Sequence, residues 1–337
     1  MKSPRTTDPV TANAVYFHAD CLDGFAAAYA AWRHFGGDAT YHPICHGEPP
    51  NLAEIQGRDV YILDFAFPPD VLLAMAAAAG SICQLDHHLS ARRQWPENLP
   101  RDAGQREIFE HPELPLRVCF DLDKSGARLA WEYFHPANPL PLLLAHIEDL
   151  DLWRFKHPGT QAIARALRLR SFDFAEWDRL VEEADTTESP NYRALLTEGT
   201  AIEQFFQAEI DRLASSRLVM PARLRGEPAD PLQALRHGQA VIVEDNLAWH
   251  TLGGLAINAS ALFASELGHR LAQQAGSFGL IWQLAPDGNV KASLRSIGEF
   301  DVSTIAARYG GGGHRNAAGF RMPHRTFLRE VLNLPAS

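Results

Sequence analysis

Short apolar runs bounded by polar clusters recur through residues 1–156. Runs of this kind are typical of buried strands. The predicted strands cover residues 14–18, 59–64, 81–86 and 117–120. Segments with helical periodicity lie between and after them, at residues 24–35, 71–79, 126–134 and 140–147. Alternating strand and helix signals predict an α/β fold in which helices cover both faces of a parallel sheet.

The pattern changes after residue 156. Residues 157–235 have helical periodicity and carry no cluster of chemically reactive side chains. Strand signals then return at 240–243 and 278–282, with a helix predicted between them from 257 to 274. We therefore predict three parts: an N-terminal parallel-sheet domain at 1–156, a helical connector at 157–235, and a smaller C-terminal α/β domain at 236–337.

Composition narrows the class of protein. Of the 337 residues 46% are apolar and 21% are charged, and the formal net charge is −10. The apolar fraction is sufficient for substantial cores. The negative charge argues against tight binding to long or duplex nucleic acid, which requires a basic surface. A short nucleotide remains compatible, because bound metal ions supply positive charge locally.

The cysteines and the hydropathy predict a reduced, cytoplasmic protein. The four cysteines form no C-x-x-C pair, which excludes a zinc knuckle and a thioredoxin motif of that type. Residues 1–5 are not followed by the apolar core of a signal peptide. The sequence contains no apolar stretch of about 20 residues, the length that a membrane-spanning helix needs. We therefore expect no membrane association.

Acidic and histidine side chains follow three of the predicted strands. The three groups are His18, Asp20 and Asp23; Asp64; and Asp86, His87 and His88. Because the carboxyl ends of neighbouring parallel strands open into one crevice, we expect these groups to lie close together. Carboxylates gathered there require compensating positive charge, for which a pair of divalent metals is the simplest source. A carboxylate such as Asp64 can bridge two ions about 3.5–4 Å apart.

Two further acids, Asp149 and Asp151, flank Leu150 near the end of a predicted helix. Acids at this end oppose the helix dipole, so their placement indicates another use. Simpler interpretations exist for each group. Asp23 suits a helix cap, Asp64 a turn, and Asp149 a helix boundary.

A glycine run in the C-terminal part forms the second candidate site. Gly310, Gly311, Gly312 and Gly313 precede His314, Arg315 and Asn316. Consecutive glycines allow backbone N–H groups to approach an anion closely. Arg295, near a predicted strand end, offers a planar guanidinium to a phosphate or carboxylate. A flexible linker is the alternative, but the polar residues after the run favour phosphate binding.

These motifs together resemble the DHH phosphoesterases that carry a C-terminal DHHA1 domain. That family includes RecJ-like exonucleases, nanoRNases and phosphodiesterases of cyclic or linear dinucleotides. The similar segments are residues 18–24 for the first motif, Asp64 for the second, Asp86-His87-His88 for the third, Asp149 for the fourth, and residues 293–296 and 311–319 for the DHHA1 signature. The resemblance covers nearly the whole chain and implies a DHH catalytic domain at 1–156 and a DHHA1 substrate-binding domain at 236–337.

The resemblance also implies cofactors and residue roles. Two divalent metals are expected, manganese first and magnesium as the alternative. One metal would be held by His18, Asp20 and Asp64, and the other by Asp23, Asp64, His87 and Asp149, with Asp64 as the bridge. His88 would contact the scissile phosphate, with Asp86 beside it. The far end of the substrate would meet Arg295, Gly311, Gly312, Gly313, His314, Arg315 and Asn316 across a cleft between the domains.

Two assignments stay open in the sequence. The usual first motif separates its aspartates by one residue, whereas Cys21 and Leu22 separate Asp20 from Asp23 here. Either aspartate can therefore serve either metal. Asp151 is the alternative to Asp149 as the last ligand.

The favoured function is hydrolysis of phosphodiester bonds in short oligonucleotides or dinucleotides by a water that two metals activate. The alternatives are a RecJ-like single-strand exonuclease, a phosphomonoesterase or exopolyphosphatase, and a nucleotide sensor with a retired metal site. A retired site should have lost a carboxylate or an imidazole, and none is missing from these motifs. The helix predicted at 191–217 is a candidate surface for a homodimer.

Overall fold

A computed structural model describes residues 12–45, 47–237, 240–244 and 247–334. The chain divides into two compact units, Met1–Gln204 and Phe205–Ser337, each with its own sheet. Residues 1–5, for which the sequence predicts no signal peptide, lie outside the described residues. Every helix within the described ranges is too short or too polar to cross a membrane.

The first unit contains a six-stranded sheet. Its strands are β1 (Asn13–His18), β2 (Ala39–Ile44), β3 (Asp59–Leu63), β4 (Ser81–Asp86), β5 (Glu107–Glu110) and β6 (Leu116–Phe120). They lie in the order β2-β1-β3-β4-β6-β5, and all neighbours are parallel except the β5–β6 pair. The parallel N-terminal sheet that the strand–helix alternation predicts is therefore confirmed.

Helices cover both faces of this sheet. The helices of the first unit are α1 (Leu22–Phe35), α2 (Pro69–Ala78), α3 (Leu89–Arg92), α4 (Gly126–Phe134), α5 (Leu142–Asp151), α6 (Thr160–Leu167), α7 (Phe174–Glu183) and α8 (Pro190–Ala214), the last of which continues into the second unit. The alanine-rich α1 is buried with α4 and α5 in one core, whereas α2 lies in a second core on the opposite face. Burial of both faces explains why the strands read as continuous apolar runs.

The second unit is also α/β. Its strands are β7 (Met220–Pro228), β8 (Val241–Glu244), β9 (Leu247–Asn258), β10 (Phe278–Leu284), β11 (Asn289–Ser296), β12 (Gly312–His314) and β13 (Ala317–Pro323). Its further helices are α9 (Pro231–Arg236), α10 (Ala264–Ala275), α11 (Val302–Ala307) and α12 (His324–Glu330). The sheet order is β12-β13-β11-β10-β9-β7, with β8 paired to β9. Helix α10 packs on one face, and α11 and α12 pack on the other.

Two elements of the second unit differ from the sequence-based prediction. Strand β7 lies among residues predicted to be a helical connector, yet it pairs with β9. Strand β9 extends to Asn258, where a helix was expected from 257, because its last residues pair with β10. The helix itself begins at Ala264. The role of residues 157–235 as a connector, and of α8 in a homodimer, stays a prediction.

A buried chain of hydrogen bonds ties α5 to α6 and α8. The Tyr192 hydroxyl and His146 Nε2 are 3.0 Å apart, and His146 Nδ1 lies 2.9 Å from Thr160 Oγ1. Thr160 donates its own hydrogen to Asp149 at 2.6 Å. Since Thr160 must then accept from Nδ1–H, His146 is a neutral imidazole that accepts from Tyr192. Burial, with a smaller contribution from His157, lowers the pKa of His146 to about 4.

We expect His146 to make the first unit sensitive to acid. A histidine whose pKa is lowered in the folded state contributes stability at neutral pH that is lost as pH falls from about 6.5 to 4, in total about 3 kcal/mol. Denaturant unfolding of His146→Gln across this range should show a flatter pH profile than the wild type. His237→Gln, at an exposed position, is the control. Equal slopes for His146→Gln and the wild type would contradict the assignment.

Candidate metal centre

The carboxyl ends of the adjacent strands β1, β3 and β4 bring the first candidate residues together. His18 ends β1, Asp64 follows β3, and Asp86 ends β4. His18 Nδ1 lies 3.6 Å from one oxygen of Asp64, and the other oxygen of Asp64 lies 3.0 Å from His87 Nε2. Asp64 has a left-handed φ of 52°, an uncommon conformation that turns its carboxylate into the crevice immediately after the strand. Its two oxygens therefore face two different imidazoles.

Three carboxylates surround His87. Besides Asp64, an oxygen of Asp151 lies 3.6 Å and an oxygen of Asp23 lies 3.7 Å from His87 Nε2. The side chains of His87, Asp23 and Asp64 are at most 2% exposed, whereas that of Asp151 is 27% exposed. Buried carboxylates at this density need positive charge beyond one imidazole.

The pKa shifts of the side chains in the crevice also indicate that its carboxylates outnumber the positive charges. Burial, followed by repulsion from Asp64 and Asp151, raises the pKa of Asp23 well above its usual range. Burial also raises the pKa of Asp151, against the attraction of His87. Burial opposes protonation of His87, but Asp151, Asp64 and Asp23 outweigh it and raise its pKa. Protons thus supply part of the positive charge that the carboxylates require.

His88 is held by Asp86. The carboxyl group of Asp86 is fully buried, and its Oδ1 lies 2.7 Å from Nδ1 of His88. Burial would lower the pKa of His88, but the attraction of the Asp86 carboxylate outweighs it and raises the pKa. Oδ2 of Asp86 is buried and has no hydrogen-bond partner among the described residues. The contact with Oδ1 thus fixes the orientation of the His88 ring.

Asp23 reaches the site through the N-terminus of α4. One of its oxygens accepts from Gly126 N at 2.7 Å, and the other accepts from Ala127 N at 3.0 Å. The positive end of the helix dipole therefore faces this buried carboxylate. A Cβ at Gly126 would lie 2.4 Å from Cβ of Asp64, so only glycine fits there. The sequence marks Gly126 as a helix start, but no local signal shows its contact with Asp64, which lies 62 residues earlier in the chain.

Gly126→Ala should disturb the site rather than the fold as a whole. The added methyl group must displace Asp64, and a shift of about 1 Å in a reacting group costs roughly a hundredfold in rate. The overpacking itself should cost about 1–3 kcal/mol of stability. The hydrolysis rate and the metal affinity of the variant report the displacement of Asp64, and its thermal unfolding reports the overpacking. Gly37→Ala, where an added Cβ meets open space, is the matched control. Unchanged metal affinity in Gly126→Ala would contradict the packing argument.

The structure separates Asp149 from Asp151. Asp149 is buried, and its oxygens accept hydrogen bonds from Lys156 N at 2.8 Å, His157 N at 3.0 Å and the Thr160 hydroxyl. Burial would raise its pKa, but these hydrogen bonds outweigh burial and lower it. Asp149 thus anchors the segment that follows α5, and Asp151 is the acid that faces His87. The ligand position expected for Asp149 is not supported by its geometry.

The first motif also differs from the expected ligand set. Asp20 is exposed and has a left-handed φ of 54°. The group that forms at this point consists of His18, Cys21 and Asp64, one ligand-type atom of each lying within 4.8 Å of the others. Burial, and then the nearby Asp64, raise the pKa of the Cys21 thiol. The sequence analysis assigned no role to Cys21.

The second unit places two of its candidate residues on one face of its sheet. Arg295 on β11 and His314 on β12 both lie opposite Ala317 of β13, so the two side chains share one face of the sheet. An Nη of Arg295 donates to Oγ of Ser265 on α10, at 2.9 Å. This face is therefore the one that α10 covers. It remains the candidate position for an anion.

The glycine run and the residues after it serve the fold as well. Gly312 and Gly313 belong to β12 instead of a flexible linker, and a Cβ at Gly311 would lie 2.0 Å from the oxygen of Gly319. Arg315 pairs with Glu299 on the surface. Asn316 donates to Ser296 Oγ and to the carbonyl of Gly298, which ties the strand ends together.

Comparisons with known proteins agree with this architecture. A family model described as the DHHA1 domain matches residues 258–334. "Uncharacterized protein R106" of Acanthamoeba polyphaga mimivirus is 27% identical over 91% of this chain and 66% of its own length. Oligoribonuclease NrnB of Bacillus subtilis (strain 168) is 38% identical over 72% of this chain and 53% of its own length. The chain thus spans between half and two thirds of these relatives.

Among solved structures, RecJ in complex with Mn²⁺ from Thermus thermophilus matches 94% of this chain and 50% of its own length, with a TM-score of 0.43 and 16% identity. The DHHA1 match falls on the strands and loops that carry Arg295 and the glycine run, and the N-terminal unit presents the Asp86-His87-His88 motif at the end of a parallel sheet. With its C-terminal DHHA1 domain and its N-terminal DHH motifs, the chain belongs to the DHH/DHHA1 family.

Proposed function

We propose that this protein is a metal-dependent phosphodiesterase that hydrolyses short oligonucleotides or dinucleotides. The observation that carries the proposal is the crevice in which Asp23, Asp64 and Asp151 surround His87 at 3.0–3.7 Å. A crevice of buried carboxylates and imidazoles at the carboxyl edge of a parallel sheet suits divalent cations and the anionic phosphate that they attract.

The donor atoms fit two divalent ions, manganese first and magnesium as the alternative. Imidazole donors beside carboxylates favour manganese over magnesium, which prefers oxygen ligands alone. His18 and Asp64 would contribute to one position, and Asp23, Asp64, His87 and Asp151 to the other. Asp64 would contribute to both positions because its two oxygens face different imidazoles. The buried Oδ2 of Asp86, which has no hydrogen-bond partner in the described ranges, adds to the demand for a cation.

When bound, such ions would lower the pKa of a water and stabilise charge on the phosphate oxygens. The side chains then have separate roles. His88, oriented by Asp86, is placed to donate a hydrogen bond or a proton to the scissile phosphate because its raised pKa favours the protonated form. Arg295 and His314, which share one face of the second sheet, would bind a terminal phosphate or a base of the substrate.

Two observations support a short substrate over a long strand. The net charge of −10 disfavours the basic tracks that long nucleic acids require. A relative at 38% identity is an oligoribonuclease. The alternative enzymatic functions would use the same metal centre. They are an exonuclease, a phosphomonoesterase and an exopolyphosphatase. Only the choice of substrate therefore distinguishes them from the proposed function.

Hydrolysis by the full chain with Mn²⁺ tests the proposal. The substrates are a linear dinucleotide, a cyclic dinucleotide, a long single strand, polyphosphate and adenosine 3′,5′-bisphosphate. We expect manganese-dependent turnover of the dinucleotides, abolished by a chelator. Preference for the long strand would favour the RecJ-like alternative, and turnover of polyphosphate or the bisphosphate alone would favour phosphomonoester chemistry. Metal binding without turnover of any substrate would favour the sensor.

A further inference from the structure

Cys21 lies at the metal centre, in the position that the resemblance gave to Asp20. It is the residue before α1, it is half-buried, and its side chain does not cap the helix. Its Sγ forms a group with ligand atoms of His18 and Asp64, all within 4.8 Å of one another. This is a thiol, an imidazole and a carboxylate, and all three are side chains that bind transition metals.

Asp20 lies in a different environment. It is exposed and sits at a left-handed turn between His18 and Cys21. Asp20 is displaced from the crevice because two residues, Cys21 and Leu22, separate it from Asp23. Because Asp23 is fixed by the N-terminus of α4, the residue that follows Asp20 is the one that enters the crevice.

A second feature of the crevice points to a cation beside Asp64, which this group shares. Asp64 belongs both to the group with His18 and Cys21 and to a group with Asp86 and His88. Asp86 is completely buried, and its Oδ2 has no hydrogen-bond partner within the described residues. A buried carboxylate oxygen in that state is costly unless a cation lies nearby.

We propose that Cys21, and not Asp20, is the third protein ligand of the metal held by His18 and Asp64. This inference rests on the proposed metal-dependent function. It assigns a donor set of nitrogen, oxygen and sulfur to the first metal position, whereas the second position has only nitrogen and oxygen donors. On binding, the S–H bond breaks, a sulfur–metal bond forms, and the proton passes to solvent.

The sulfur ligand changes the metal preference. Thiolates favour Zn²⁺, Co²⁺ and Fe²⁺, while carboxylate-rich sites suit Mn²⁺ and Mg²⁺. The first position should therefore bind Co²⁺ or Zn²⁺ more tightly than Mn²⁺, and the second position should discriminate less. A single chain would thus hold two metals with different selectivity.

Cobalt provides a spectroscopic test in the metal-free protein, with the whole 337-residue chain present. Added Co²⁺ should produce a near-ultraviolet sulfur-to-cobalt charge-transfer band that saturates at one equivalent. Cys21→Ser should abolish the band and weaken binding at one of two sites by about tenfold or more. Asp20→Ala should leave the band unchanged. Cys45→Ser, which removes an exposed thiol, is the matched control.

Cys21→Asp adds a second arm, because it should restore cobalt binding through oxygen without restoring the band. Absence of the band in the wild type, or its persistence in Cys21→Ser, would overturn the assignment. So would loss of one cobalt site in Asp20→Ala while Cys21→Ser keeps both. Hydrolysis is scored separately. Turnover without a band refutes only the cysteine ligand, whereas a band without turnover of any substrate refutes only the proposed function.

Discussion

Replacing Asp64 by asparagine is expected to reduce phosphodiester hydrolysis by roughly a thousandfold or more. A metal ion contributes several kcal/mol to the transition state, and about 1.4 kcal/mol corresponds to a factor of ten in rate. Asp64 is the residue whose two oxygens face both halves of the centre, at 3.6 Å from His18 and 3.0 Å from His87. Its loss should therefore affect both metal positions together.

The rate is measured with a dinucleotide under saturating Mn²⁺, and metal binding is measured by calorimetry. Asp59→Asn is the matched control, since Asp59 is exposed at the opposite end of the same strand, where it accepts from Ser81. That control should keep the wild-type rate. A folded Asp64→Asn protein that hydrolyses within tenfold of the wild type would refute the role of Asp64.

Asp149 and Asp151 are expected to give opposite results when each is replaced by asparagine. Asp149→Asn should lower the free energy of unfolding by on the order of 3 kcal/mol, because its buried carboxylate accepts three hydrogen bonds and an amide group cannot accept all of them. Asp151→Asn should leave stability unchanged or increase it in the metal-free protein. It removes one of three carboxylates that crowd His87.

The activities of these two variants should show the reverse pattern: Asp151→Asn should lose activity, and Asp149→Asn should keep it. Asp151→Asn should reduce manganese affinity and lower turnover by roughly a hundredfold or more, since it removes a charged group of the metal centre. Asp149→Asn should retain its turnover at temperatures where it stays folded. Chemical denaturation and steady-state rates on both proteins provide the comparison. Loss of metal binding in Asp149→Asn, with normal binding in Asp151→Asn, would restore Asp149 as the ligand.

Most of the first sheet can be predicted from the sequence because its strands are buried on both faces. The apolar runs at β1, β3, β4 and β6 give a clear signal, and the side chains that follow them converge for a topological reason. The two edge strands, β2 and β5, have no such apolar run in the sequence. Strand β2 contains His42 and Pro43, and β5 is only four residues long. Pairing partners, and not local patterns, define such strands.

The two places where the geometry of the candidate metal centre departs from the sequence-based assignment have a similar origin. Asp149 and Asp151 are two residues apart, so they point to different sides of α5, and helical periodicity alone does not say which side faces His87. The backbone donors at Lys156 and His157 decide the question, and they lie in a loop whose course is set by tertiary packing. Likewise, Cys21 has no C-x-x-C partner. Its neighbours are supplied by β1 and β3.

Anomalous diffraction from crystals soaked in excess Mn²⁺ tests the central claim most directly. The account predicts two manganese peaks in the first unit, both adjacent to Asp64. One should lie beside His18 and Cys21, and the other beside Asp23, His87 and Asp151. The hydrogen bonds of Asp149 to the segment after α5 should be unchanged. A map with no manganese peak at Asp64, in crystals of protein that binds manganese in solution, would contradict the account.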